Sequence, residues 1–187
     1  MVSKPFEQQL YSDDEFEAFL KLPENSDRLF ELIDGEIIEK MTTELHGVIA
    51  ALIATFINLF LFEHPIGRVA VEASHRPAKA NRNNRLPDVS FVTNEHPITT
   101  RGAAPFIPDL CVEIQSPNDS AKSMADKAQF YLANGAKMVW LVYPKKQLVE
   151  TLTLDNRELL GIEDTIDGGD VLPGFKLDVK KIFPKDV

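Results

Sequence analysis

An α/β domain with a mixed central β-sheet flanked by helices is the fold this sequence predicts, and three observations predict it. Periodic apolar stretches and short extended runs follow one another as helix, hairpin, helix, several strands, helix, strands. Met138–Tyr143 (MVWLVY) is apolar without alternation, as a strand covered on both faces is, whereas Leu110–Gln115 (LCVEIQ) alternates. A length of 187 residues, 44% hydrophobic and 26% charged, suits one globular domain that needs no metal or disulfide to fold.

Each element carries its own signal. Ser12-Asp13-Asp14-Glu15 ahead of Phe16, Phe19 and Leu20 reads as a capped helix start, with Glu three residues after Ser. Leu29–Ile33 and Glu36–Lys40 flank Asp34-Gly35, a two-residue hairpin turn. A long apolar helix follows over about Thr43–Phe62. Gly67–Ser74 and Leu86–Thr93 read as extended stretches joined by a loop. Pro108-Asp109 introduces the Leu110–Gln115 strand, which Ser116-Pro117-Asn118-Asp119 halts. A helix over about Ser123–Asn134 stops at Gly135. The Met138–Tyr143 strand turns through Pro144-Lys145-Lys146 into Leu148–Leu154, and short strands and turns complete the chain. The whole, 1–187, reads as one domain with an N-terminal helical extension over 1–27.

Composition narrows the function classes. The lone cysteine, Cys111, excludes an internal disulfide framework and a multi-cysteine zinc site, and is expected to be a small buried residue. The N-terminus lacks an apolar core behind a positive start, so no secretory signal is expected and a cytoplasmic location is. Gly47–Phe62 is short of the roughly 20 apolar residues of a membrane span and is broken by Thr55 and Asn58, so it reads as a helix buried in a soluble core, with no membrane partner. The net charge is −9. Residues 1–64 hold 13 acids and 4 bases, whereas 65–187 hold 16 of each, so the acidic excess sits at one end. Ala73–Pro87 has no acid but carries Arg76, Lys79, Arg82 and Arg85, either a solvated connection or a surface for an anionic partner.

Two acids stand where strands do not favour them. Glu113 shares a strand face with Cys111 and Gln115, opposite Leu110, Val112 and Ile114. Asp88 shares one with Ser90 and Val92, opposite Val89 and Phe91. A buried carboxylate costs several kcal/mol unless paired or metal-bound. The pair therefore suggests either a divalent-ion site with oxygen ligands or hydrated strand ends bridged to arginines. No Gly-rich phosphate loop, Ser-His-Asp order or cysteine nucleophile stands out.

Pro87-Asp88, followed 25 residues on by Glu113-x-Gln115, resembles the PD-(D/E)xK nuclease superfamily. FELIDGEI at 30–37, His46 at the start of the long helix, LPDVSFV at 86–92, VEIQSPNDS at 112–120 and DKAQFYLANGAKMVWLVYP at 126–144 resemble a bacterial family of putative restriction endonucleases, formerly a domain of unknown function. The resemblance implies a restriction-endonuclease-like core and phosphodiester hydrolysis in DNA with Mg²⁺ (or Mn²⁺). By motif, Asp88, Glu113 and the Ile114 carbonyl become metal ligands, Glu31 the family's N-terminal acid, and His46 its recurrent histidine with a possible catalytic role. The third motif position, normally Lys, is Gln115 here, suited to holding water or phosphate. In this family a Lys on the following helix is thought to replace it, which points to Lys127. On a helical wheel Lys127 lies about 60° from Met124, at the margin of the Met124, Ala128, Tyr131 and Leu132 stripe, from which its ammonium can extend ~6 Å. Its removal should then cost rate and leave stability little changed.

With DNA as partner, Arg76, Lys79, Arg82 and Arg85 are expected to line the approach to the metal site. A homodimer would suit double-strand cleavage. Two alternatives stay open: a nuclease-fold DNA-binding or interaction module without efficient cleavage, and an enzyme using the same cleft on another phosphate or a small substrate. The acidic N-terminal third and the missing motif Lys favour the first of these.

Overall fold

The computed structural model describes residues 9–79 and 82–184, so the expectation for the first eight residues lies outside the described ones. Helix α1 (Asp13–Leu20) starts in a complete capping box between Ser12 and Glu15, and buries Phe16 against Phe30 and Leu32. β1 (Leu29–Ile33) and β2 (Glu36–Lys40) form a separate two-stranded hairpin. Asp34 and Gly35 both take positive φ, 51° and 92°, the pattern of the tight turn that follows strand twist. Reciprocal 2.8 Å backbone hydrogen bonds between Leu32 and Asn84 tie this hairpin to the basic loop.

The central sheet has six strands in the order β3 (Gly67–Val71), β4 (Val89–Thr93), β5 (Leu110–Ile114), β6 (Met138–Tyr143), β7 (Leu148–Leu152) and β8 (Arg157–Leu160). Only β5 and β6 run parallel, because α3 (Ala121–Ala133) carries the chain back between them; every other pair is antiparallel. The expected mixed sheet flanked by helices is what forms. Helix α2 (Glu44–Glu63) covers one face, burying Ile49, Ile53 and Ile57 with Val89, Val112 and Trp140. Helix α3 covers the other, burying Met124, Ala128 and Tyr131 with Cys111, Val139 and Leu141. Strands β9 (Thr165–Asp167) and β10 (Lys176–Asp178) pair beside the α2 layer, where Leu172 and Phe175 complete the core.

Two boundaries differ from the sequence reading, each for a physical reason. Pro87 cannot donate to a ladder, so β4 starts at Val89 and Asp88 stands just before it. The β3 strand ends at Val71 because Glu72 turns to φ 49°. Helix α2 also departs from a wholly buried helix. Long and apolar enough to cross a membrane, it packs on the sheet by one face and leaves Val48, Leu59 and Phe62 exposed.

Candidate active site

The strands deliver the two acids to one place. β4 and β5 pair in a register that matches Val89 with Val112 and Ser90 with Cys111. One step further the same register sets Asp88 opposite Glu113, on the face that α3 covers. The Asp88 backbone N–H donates to the Val112 carbonyl at 3.0 Å, and Asp88 Oδ2 accepts from the Ile114 backbone N–H at 2.6 Å. Asp88 and Glu113 are each 1% exposed, so neither charge is relieved by water.

Helix α3 supplies the partners of Glu113. Ser120 caps it, its Oγ accepting from the Ser123 backbone N–H at 3.0 Å. Lys127 then falls one turn before Tyr131. The Lys127 ammonium lies 3.0 Å from Glu113 Oε2 and 3.6 Å from Asp119 Oδ1, while the Tyr131 hydroxyl donates to Glu113 Oε1 at 2.7 Å. The structure therefore brings Lys127 to the acid pair. It also makes Lys127 the counter-charge of a buried carboxylate, which argues against the expectation that its loss would leave stability little changed.

Asp88 is held by residues from the hairpin and α2. Its Oδ1 takes no aligned hydrogen bond, yet the Lys40 ammonium lies against it, and His46 Nε2 approaches to 2.9 Å. Lys40 also donates to the Leu86 carbonyl. Glu31, on the neighbouring strand, accepts from the Leu86 backbone N–H at 2.8 Å. A recess of about 270 Å³ opens here, lined among others by Glu31, Lys40, His46, Asp88, Ser123 and Lys127. With all five ionised, Glu31, Asp88 and Glu113 carry three negative charges against the two positive charges of Lys40 and Lys127.

Burial and these contacts drive the two facing acids apart. Burial pushes both carboxyls up. At Asp88 the adjacent His46 and Lys40 outweigh it and hold the group below the usual range. At Glu113 burial wins over Lys127, with Asp88 adding to it, so its carboxyl is the harder of the two to ionise. Burial lowers Lys40 and Lys127, but the surrounding carboxylates outweigh it and both are raised. Tyr131 is raised well above its ordinary value, by burial and then by Glu113.

The remaining sequence candidates fall in several places. The Gln115 side chain donates to the Asp119 carbonyl at 3.1 Å and so is engaged in the turn after β5. Lys79 and Arg82 are exposed on the loop. Arg76 pairs with Asp13 at 3.3 Å. Arg85 is turned inward, 6% exposed with its guanidinium 4.1 Å from the Phe130 ring centroid, which withdraws it from the expected approach surface. Two residues escaped the sequence reading. Tyr131 belongs to the apolar stripe by helical periodicity, although its hydroxyl requires a partner when buried. Lys40 belongs to the hairpin strand, and the pairing of Leu29 with Lys40 puts it on the Glu31 face, an alternation present in the sequence.

Comparison with known proteins points the same way. The Uma2 family model, described as "Putative restriction endonuclease", matches residues 16–180. A solved structure of a putative nuclease belonging to DUF820, from Anabaena variabilis ATCC 29413, is similar to this chain. It is 26% identical with a TM-score of 0.76, over 92% of this chain and 97% of that one. No curated protein matches the chain.

Proposed function

Because the chain belongs to the Uma2 family of putative restriction endonucleases, we propose that it is a metal-dependent endonuclease hydrolysing phosphodiester bonds in DNA. The observation that carries this reading is the facing of Asp88 and Glu113, two buried acids on neighbouring strand ends with an ammonium on each. Their oxygens, with the Ile114 carbonyl, are the hard donors that Mg²⁺ or Mn²⁺ prefers, and the buried Oδ1 of Asp88 still lacks an aligned hydrogen bond. Among the described residues no group of three or more His, Cys, Asp or Glu side chains is placed to hold a metal ion. A two-carboxylate set suits Mg²⁺, which retains several of its waters. Such a cation supplies a water of lowered pKa and a clamp on the phosphate.

The chain's own residues do the rest. His46 and the Ile114 backbone N–H hold the Asp88 carboxylate, and the Tyr131 hydroxyl fixes that of Glu113. Lys127 keeps a positive charge in the recess, where charge builds up on a phosphorane-like transition state. The exposed Lys79 and Arg82 offer contacts to the DNA backbone. A cytoplasmic location is part of this proposal.

A second reading, a DNA-binding module of the same fold without efficient cleavage, is favoured by the Lys40 ammonium lodged against Asp88. Plasmid nicking separates the two. With Mg²⁺ or Mn²⁺ the protein is expected to nick supercoiled DNA, and Asp88→Asn and Glu113→Gln to abolish nicking. DNA binding without nicking under either metal overturns the nuclease reading in favour of the module. Equal nicking by the parent and both variants overturns the site assignment.

A further inference from the structure

Helix α2 is uncharged on both sides between its ends, and among the described residues only one side is covered. From Leu45 to Phe62 it has no Asp, Glu, Lys or Arg. Its inner face is core: Ile49, Ile53 and Ile57 are fully buried. On the outer side Val48, Ala51, Thr55, Leu59 and Phe62 are exposed, spaced by three, four, four and three residues, with Asn58 exposed beside them. That is the seam of a helix that packs along another helix. Val48 is 39% exposed, Leu59 54% and Phe62 78%, and space stays open beside Gly47, where a Cβ would meet nothing within 4 Å. Among the described residues no segment lies over this seam.

We propose that the outer face of α2 is an interaction surface for a second copy of this chain, packed antiparallel about a two-fold axis at Thr55. The spacing is self-complementary about that axis. It sets Val48 against Phe62 and Ala51 against Leu59, small against large, so that each side chain meets a recess of matching size. Gly47 and Ala51 let the backbones approach closely. At the ends, Glu63 of each copy comes beside Gly47 of the other helix, where no Cβ takes up the space.

Charge also argues against a lipid surface as the occupant. Helices that lie on anionic membranes are rich in Lys and Arg along their polar side. Here the helix ends in Glu44 and Glu63. The nearest bases, Lys40 and Arg68, are committed to Asp88 and to the His96 and Pro97 carbonyls. The face is large enough for a dimer: a strip about 30 Å long and one helix wide from each copy totals on the order of 1,000 Å² with its flanks. That is the small end of specific interfaces, the range of weak and reversible association.

Sedimentation of the full chain across the micromolar range tests this independently of nuclease activity. The parent is expected to pass from monomer to dimer. Thr55 is exposed, so its charged variants should fold; Thr55→Lys and Thr55→Glu each bring like charges together on the axis and are expected to weaken self-association about a hundredfold. Mixed in equal amounts, the two are expected to recover a heterodimer. Phe62→Asp, at a position 78% exposed, is expected to be monomeric and to melt like the parent at concentrations where the parent is itself monomeric. A parent that stays monomeric throughout overturns the proposal, as do charged variants that dimerise like the parent or fail to rescue each other on mixing. Binding of the parent to vesicles of mixed phosphatidylcholine and phosphatidylserine, lost in Phe62→Asp, would instead assign the face to lipid.

Discussion

Lys127→Met isolates the central ion pair of the recess. The substitution keeps the aliphatic stem that lies along α3 and removes only the ammonium. Glu113 is left 1% exposed, with Oε1 still bonded to Tyr131 and Oε2 without its cationic partner. Breaking a buried pair from one side costs about 3–5 kcal/mol. At about 2–4 °C per kcal/mol for a domain of this size, the melting temperature should fall by roughly 6–20 °C. The loss depends on pH in a definite direction. The Glu113 carboxyl is already raised in the folded state by burial, and removing Lys127 raises it further. A group with a raised folded pKa loses stability as pH climbs from its unfolded value through its folded one. Thermal melts in chelator should therefore show a small deficit near about pH 4 that widens toward about pH 8. Glu113→Gln introduced into Lys127→Met removes the unpaired charge and should recover most of the loss. A Lys127→Met protein melting within about 2 °C of the parent at mildly alkaline pH would refute the reasoning, as would a double variant no more stable than the single one.

Other substitutions probe separate parts of the molecule. Lys122, exposed and paired only with Asp126 one turn on, is the control: Lys122→Met should change stability by less than about 0.5 kcal/mol in urea unfolding. His75 is buried and held neutral, its pKa pushed down to about 4 mainly by burial, so the unfolded chain binds the extra proton and stability falls as pH drops from about 6.5 toward 4. That limb, on the order of 3 kcal/mol, should be absent from urea titrations of His75→Gln. Lys79→Gln with Arg82→Gln should weaken DNA binding evenly across sequences and lower the log–log salt slope by up to about two, read by fluorescence anisotropy. Mn²⁺ should raise the melting temperature of Lys40→Met more than that of the parent, since the substitution removes the charge that competes for Asp88.

Much of this arrangement was legible because strands obey a two-residue period. Glu113 in LCVEI and Asp88 beside VSFV announce themselves as acids on apolar strands, and one register carries both to the same face. The helical wheel placed Lys127 at the edge of the buried stripe, close enough to reach them. What periodicity does not report is which groups meet across distant elements. Lys40 reaches Asp88 only because the hairpin folds back along the loop before β4, through backbone bonds between Leu32 and Asn84 that no local pattern encodes. Arg85 reads as a surface base until α3 offers Phe130 to its guanidinium. The outer face of α2 was misread for a related reason: an apolar helix signals burial, and says nothing of whether its own chain provides all the cover.

The ammonium groups of Lys40 and Lys127 give the recess an internal neutralising charge, and that separates two properties which many metalloproteins join. Where a cluster of ligands is held together only by its ion, as in a zinc finger, the apo chain does not fold and affinity for metal is folding energy. Here the carboxylates meet cations delivered by the same polypeptide, so the scaffold can be complete before any ion arrives. On the proposed metal-dependent reading, such a chain would mature without competing for scarce metal during synthesis, and its affinity for the ion would be tuned at a single position, residue 40, while the six-stranded framework stays as it is.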